Sequence, residues 1–194
     1  YEHGDNSSTS KPKNKTQKNR GAFTPIGGEF KELPTRKISE ETCRKYGYKV
    51  GEDDGQAAQL APFIEDGVVV GQKIRLKGKV FRVIGDCSDL WGKHLWNDGK
   101  KICITTGELD ALSIAEAQNC KWPVVSIPNG DKSAKKVIEK NLESLFGFDE
   151  TVLMFDMDKS GQEAAQEVAD LFPPGRCKIA RLGKKDASDV LCEE

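Results

Sequence analysis

The chain has 194 residues, enough for one ordinary domain and a smaller one, and its 30 Lys and Arg against 31 Asp and Glu leave a formal net charge of -1, so no global basic field announces nucleic acid. Six scattered cysteines without a CxxC pair read as thiols of a reducing compartment, and with only His3 and His94 available no zinc site is expected within this chain. No apolar run approaches a membrane span, and no signal peptide is evident.

Charge is nevertheless spread unevenly. Residues 1–20 carry Lys11, Lys13, Lys15, Lys18 and Arg20 among Asn, Ser and Thr, with nothing apolar to bury beyond Tyr1. Residues 1–25 therefore read as a disordered basic linker. The absence of an initial Met predicts a fragment of a longer protein.

Residues 26–97 read as a small α+β subdomain. Gly27-Gly28 and Pro34 lead to Ser39, which is placed to cap a short helix with Glu40 and Glu41 in its first turn and Cys43 to Tyr48 as its body and exit. Ala57 to Ile64 reads as a strand, Asp66-Gly67 as a turn, and Val68 to Leu76 as its antiparallel partner; Lys77-Gly78 turns into a further strand, Lys79 to Ile84. On this meander Lys73 and Arg75 share one strand face, and with Lys79 they form a basic set suited to phosphate, although the same pattern describes a solvated sheet face. Trp91 to Trp96, with Lys93 and His94 between, fits either a hairpin that stacks on bases or interdomain core.

From residue 98 the pattern changes to alternating strand and helix. Strand-like runs at Ile102 to Thr105, Pro123 to Ile127, Val152 to Phe155 and Lys178 to Leu182 are separated by helix-like runs at Glu108 to Gln118, Ser133 to Leu145 and Gly161 to Leu171. That alternation predicts an α/β domain, 98–194, with a central parallel sheet flanked by helices and right-handed crossovers.

Carboxylates recur where such sheets bind ligands, just beyond the carboxyl ends of strands. Glu108 and Asp110 follow the first run, Asp156 and Asp158 the third, and Asp186 the last. Asp156 and Asp158 flank Met157, so in an extended segment they point the same way, about 6–7 Å apart. Glu108, Asp110, Asp156, Asp158 and Asp186 form a candidate set of hard oxygen ligands for Mg²⁺ or Mn²⁺ that substrate phosphates also hold. Capping of the next helix is the competing reading of Asp158, which precedes Lys159-Ser160-Gly161. Pro128-Asn129-Gly130 ends the second strand. It is a turn, and one whose backbone can approach phosphate closely at Asn129.

Residues 101–189 resemble the TOPRIM domain, the metal-binding fold shared by bacterial-type primases, topoisomerases and some nucleases. More specifically, the chain from about Phe30 to Leu191 resembles the primase part of the bifunctional primase–helicases of T-odd phages. The matching pieces are Arg36-Lys37-Ile38-Ser39, Glu41-Thr42-Cys43, Gln72-Lys73-Ile74-Arg75, Gly92-Lys93-His94-Leu95-Trp96-Asn97 and Gly99-Lys100-Lys101. They continue through Gly107-Glu108-Leu109-Asp110, Ala134-Lys135-Lys136, Leu153 to Asp158 and Lys185-Asp186-Ala187.

The resemblance implies a DNA primase, a nucleotidyltransferase that joins ribonucleotides into short RNA primers on a single-stranded DNA template with divalent metal. It implies metal carboxylates at Asp156, Asp158 and Asp186, and nucleotide or template contacts at Lys73 and Lys79, with Arg36 beside them. Implied partners are single-stranded DNA, ribonucleoside triphosphates, zinc-binding and helicase domains of the same full-length chain, and a replicative DNA polymerase. The implied setting is the cytoplasm of a phage-infected bacterium. A non-catalytic module that holds single-stranded DNA and metal for an attached helicase is the alternative; a TOPRIM nuclease fits less well, because the N-terminal matches are to primases.

One position departs from the family pattern. The glutamate expected before Gly107, a metal or general acid/base residue, is replaced by Thr106, whose hydroxyl neither ionises at neutral pH nor carries charge for a metal. Glu108 matches its own family position and is not a clean substitute. Natural loss, a variant mechanism and an engineered substitution each fit this sequence.

Overall fold

The computed structural model describes residues 23–193, so the expected linker lies outside the described residues except for its last three positions. Ile26, just beyond it, is pinned: its backbone N–H donates to Gln72 Oε1 at 2.9 Å and its carbonyl accepts from Gln72 Nε2 at 3.0 Å.

Two sheets follow one another along the chain. The first is antiparallel, ordered β1 (Gly28–Glu29), β2 (Lys49–Asp53), β3 (Gln56–Glu65), β4 (Val68–Leu76) and β5 (Val80–Gly85). Asp66 and Gly67 both take positive φ, 49° and 76°, which is the turn chemistry that closes a two-residue hairpin between β3 and β4. The expected meander is present and is extended by β1 and β2. Neither carries a sequence signal: β1 is only 2 residues long, and Lys49-Val50-Gly51-Glu52-Asp53 has neither an apolar run nor clean alternation. Lys79 is the other change. It sits at φ 60° in the turn before β5 and not in the strand.

Helix α1 (Glu40–Tyr46) connects β1 to β2. The Ser39 hydroxyl accepts from the Thr42 N–H, two glutamates occupy the first turn, and Gly47 at φ 72° ends the helix.

The second sheet is parallel, ordered β7 (Val124–Ser126), β6 (Gly99–Thr105), β8 (Phe148–Met154) and β9 (Cys177–Ile179). Ile102, Val124, Leu153 and Ile179 therefore share one sheet, as the alternating pattern predicts. The crossovers carry α2 (Glu108–Ala117), α3 (Ala134–Leu145) and α4 (Lys159–Ala169). Strand β9 stops before Leu182 because its partner β8 ends at Met154; the last ladder bond runs from Ala180 N–H to the Leu153 carbonyl at 2.9 Å. Beyond it a short helix, α5 (Ala187–Glu193), was not anticipated.

Each sheet face has its own core. Ile102, Ile104, Val125 and Leu153 pack with Val137, Ile138, Ala165 and Val168 of α3 and α4. On the opposite face Cys103 and Val124 pack with Leu109, Leu112 and Ala115 of α2, and that cluster continues without a break into Tyr46, Tyr48, Ala61, Phe63 and Val70 of the antiparallel region. Trp91 sits at the junction. It is fully buried, stacks on Tyr46 at 5.2 Å, and its backbone bridges Ser126. The hairpin reading of Trp91 to Trp96 is thus overturned, since Lys93–Leu95 is a single 3-10 turn and Trp91 has no ring face left for a base. The continuous core fixes the antiparallel sheet against α2, and that placement builds the site.

Candidate active site at the carboxyl edge of the parallel sheet

Strands β6, β7 and β8 all end at the same edge, and each hands over to a polar loop. After β6 the chain runs Thr106-Gly107 into α2. A Cβ at Gly107 would lie 2.6 Å from Asp110 Oδ2, the end of a side chain that would have to turn aside, so glycine allows the Asp110 carboxylate to fold back over the start of its own helix. Asp110 Oδ1 accepts from the Ser188 N–H at 3.2 Å, and Arg36 Nη1 donates to Ser188 Oγ at 2.8 Å. Burial, reinforced by Asp186 and Asp156, pushes the Asp110 carboxyl up to about 7 against the opposing pull of the Ser188 N–H and Arg36.

Asp156 follows β8, half-buried, and accepts a hydrogen bond from the Thr106 hydroxyl at 3.3 Å. Burial raises its pKa, and Asp186, Asp131 and Asp158 raise it further; the Thr106 bond opposes them. The loop is held from the other side by Met157 N–H donating to the Lys185 carbonyl at 2.7 Å, which brings the Asp186 segment to this edge. Asp186 also accepts from the Asp189 N–H at 2.8 Å and so starts α5.

Asp158 does what the competing reading anticipates. It is the N-cap of α4, accepting from Gly161 N–H and Ser160 Oγ, each at 2.9 Å, and these bonds hold its carboxyl below the usual range. It is exposed, yet close enough to Asp156 to raise that residue's pKa. Asp131 was missed. It begins the turn after Pro128-Asn129-Gly130, shares the single Ser160 hydroxyl proton with Asp158, its Oδ2 lying 2.9 Å from Ser160 Oγ, and adds to the field on Asp156. The strand-end rule that found the other carboxylates applies to it equally.

Glu108 is set apart from the other acids. Its buried carboxylate takes both oxygens to Lys73 Nζ, at 2.9 and 3.0 Å, and the same ammonium donates to the Pro128 carbonyl at 2.7 Å. Burial pushes the Glu108 carboxyl up, with Lys73 and Arg75 opposing. Lys73 is therefore neither a solvated lysine nor a free one. Arg75 lies on the same strand face, Lys79 is exposed in the β4–β5 turn, and Asn129 is exposed beside Pro128.

Among the described residues no three His, Cys, Asp or Glu side chains form a ready-made metal cage. The donor set still fits Mg²⁺ or Mn²⁺. Mg²⁺ keeps several waters and takes one or two carboxylates plus substrate phosphates, and Asp110, Asp156 and Asp186 are hard oxygen donors whose mutual repulsion a cation would relieve.

Comparison with known proteins agrees with this geometry. Residues 28–85 match the family model of the bacteriophage T7 DNA helicase/primase N-terminal a+b fold, and residues 103–191 match the Toprim-like model. The DNA helicase/primase of Enterobacteria phage T3 is 42% identical over 170 residues, which are 86% of this chain and 30% of that protein. The chain thus spans under a third of that curated relative. The primase fragment of the bacteriophage T7 primase-helicase superposes with a TM-score of 0.83 at 41% identity, covering 92% of this chain and 77% of the other. A second structure, of bacteriophage T7 lagging-strand DNA polymerase interacting with primase domains bound to an RNA/DNA hybrid and dTTP, gives 0.80 at 45% identity, covering 84% of each chain. The DnaG catalytic core shares the fold alone, with a TM-score of 0.58 at 13% identity, covering 84% of this chain and 67% of the other.

The parallel sheet, its helices and the acidic edge define a TOPRIM domain preceded by the phage-type α+β region. The chain belongs to the primase domains of the T-odd phage primase–helicase family.

Proposed function

We propose that this chain is the RNA-polymerase part of a DNA primase, joining ribonucleotides into short primers on single-stranded DNA, with Mg²⁺ or Mn²⁺ supplying charge neutralisation at the triphosphate. The observation that carries the reading is the convergence of Asp110, from the first turn of α2, with Asp156 and Asp186, from the loops after β8 and before α5, at the edge faced by the Lys73–Glu108 pair. Asp110, Asp156 and Asp186 would hold the metal, with Asp158 and Asp131 strengthening the negative field. Lys73 opposes the upward push of burial on Glu108 and fixes its carboxyl group next to the Pro128 loop. Arg75, Lys79, Arg36 and Asn129 are the groups that meet nucleotide or template phosphate, Lys79 and Asn129 being exposed and Arg36 and Arg75 half-buried.

The bond made is between a 3′-hydroxyl oxygen and the α-phosphorus of the incoming nucleotide; pyrophosphate leaves, and the hydroxyl proton must be accepted. The carboxylates at this edge are the candidate acceptors among the proposed site residues. Thr106 donates to Asp156 in place of adding a charge, which favours a weakened polymerase. The partners named for the T7 structure, a replicative polymerase and an RNA/DNA hybrid, are the partners proposed here. Zinc-binding and helicase domains of a longer chain are proposed as well. No helix of the described residues is long and apolar enough to cross a membrane.

The test is dinucleotide synthesis from ribonucleoside triphosphates on single-stranded template with Mg²⁺ or Mn²⁺. Metal-dependent product that disappears in Asp156→Asn supports the polymerase. Metal and DNA binding without product under either ion supports the non-catalytic module.

A further inference from the structure

Strand β5 is the outer edge of the antiparallel sheet and leaves Val80, Phe81 and Val83 exposed by 56%, 47% and 46%. An apolar edge strand is a liability that folding alone would blunt with charge. The register shows which way its side chains face. Phe81 lies opposite Arg75 and Val83 opposite Lys73, so these four share the sheet face turned toward α2, while Ile74 and Ile84 serve the small core on the other side.

Phe81 is not loose on that face. Its ring centroid is 5.1 Å from Lys73 Nζ and 5.4 Å from Arg75 Cζ. Lys73 Nζ is in turn 2.9 Å from Glu108 and 2.7 Å from the Pro128 carbonyl. A half-exposed aromatic ring is therefore held one side chain away from the start of α2 and from the loop that bears Asn129. Lys79, also exposed, lies two residues before it in the adjoining turn.

We propose that Phe81 is a stacking platform for a nucleobase that enters the acidic edge, with Arg75 and Lys79 meeting the adjoining phosphates. The proposal rests on the polymerase reading above. A base has a π-face whatever its identity, so an aromatic ring flanked by cations binds template or nucleotide without selecting sequence. The ring supplies what the carboxylates and lysines cannot, a surface for the apolar part of the substrate. The shared chemistry is a nucleobase, from the single-stranded template or from the incoming ribonucleotide.

The experiment compares ligands that differ only in having a base. A labelled single-stranded oligonucleotide is titrated against an abasic oligonucleotide of equal length and charge, and ATP against inorganic tripolyphosphate, on the chain and on Phe81→Leu and Phe81→Trp. Phe81→Leu is expected to weaken a base-bearing ligand by roughly 5- to 150-fold, the range for losing one base stack. It should leave the abasic or tripolyphosphate partner unchanged, and Phe81→Trp should retain wild-type affinity. A loss confined to the oligonucleotide assigns the base to the template, and a loss confined to ATP assigns it to the nucleotide; either supports the platform. Equal behaviour of Phe81→Leu and the parent on all four ligands overturns it, as does an equal loss on base-bearing and base-free ligands. A parent chain that binds none of the four ligands removes the polymerase reading, and the platform with it.

Discussion

Lys73 and Glu108 form a bidentate ion pair, 2.9 and 3.0 Å, between the middle of strand β4 and the first turn of α2. With side chains only 13% and 10% exposed, it joins the antiparallel sheet to the TOPRIM sheet at the edge where the carboxylates gather. The pair is thus both a mechanical link and an electrostatic one. Removing one partner strands a buried charge, which typically costs about 3–5 kcal/mol. Lys73→Ala is expected to lower unfolding stability by roughly that amount, and Lys73→Met with Glu108→Gln by clearly less. Urea titration of the two variants checks this, and loss of activity in Lys73→Ala alone would not show a phosphate contact.

Lys79 makes the contrasting case. It is exposed in a turn and sits at φ 60°. Lys79→Asn is expected to leave the denaturation midpoint unchanged, since Asn tolerates the left-handed region. It should also weaken single-stranded DNA or nucleotide binding and reduce the salt slope by about one counterion. An unchanged salt dependence would remove Lys79 from the binding surface.

Much of the fold was legible because the signals were local. Alternating apolar runs with Gly and Asp turns placed β3, β4 and the α/β units, and the acids after each run placed the site. What escaped was decided by tertiary context. Strand β2 carries charge and glycine and is a strand only because β1 and β3 pair with it. Helix α5 is one short segment, started by Asp186 and packed on α2. The isolation of Glu108 from the other acids could not be read either, because its partner Lys73 is 35 residues away in sequence and the two meet only when the sheets dock.

Asp89 provides a pH-dependent contribution away from the site. Burial alone would raise its pKa, but the Leu90 N–H at 2.8 Å, the Asn141 amide at 2.7 Å and the ammonium groups of Lys93 and Lys140 outweigh it and leave the carboxyl below its ordinary value. A depressed folded pKa stabilises the native state above the unfolded value, about 3.9. That contribution is lost as pH falls through the folded value. Asp89→Asn should therefore be less stable than the parent near neutrality, with the gap closing below about pH 4. Chemical denaturation at several pH values reads the gap directly, and a constant difference down to strong acid would assign the loss to packing.

Gly161 governs how closely α4 approaches the Asp156 loop. A Cβ at this position would lie 2.3 Å from the Asp156 carbonyl oxygen, a backbone atom with little freedom to yield. Gly161→Ala should push the helix away, weaken the Asp158 cap, whose acceptor bond ends on the Gly161 N–H, and shift Asp156. The expected result is a destabilisation of about 1–3 kcal/mol with a larger fractional loss of metal-dependent activity. Full activity with reduced stability would show that Asp156 is positioned independently of α4.

Thr106 supplies the sharpest test of the proposed chemistry. Its hydroxyl is 3.3 Å from Asp156 Oδ1, so a longer carboxylate introduced there would face a half-buried acid that Asp186, Asp131 and Asp158 already repel. Without metal, Thr106→Glu should lower the melting temperature, because another negative charge joins an unneutralised group. Mg²⁺ or Mn²⁺ should reverse the loss and raise the melting temperature more than it does in the parent, since stabilisation by a ligand grows with its affinity for the native state. Turnover should rise by at least roughly tenfold, a floor set below the range of about 10²–10⁴ that a positioned base contributes. Asp156→Asn should abolish metal binding and residual synthesis together. Thermal unfolding with and without metal separates the electrostatic outcome from the catalytic one. If Thr106→Glu gains metal affinity but no rate, the position is a ligand site only and proton transfer belongs to another group.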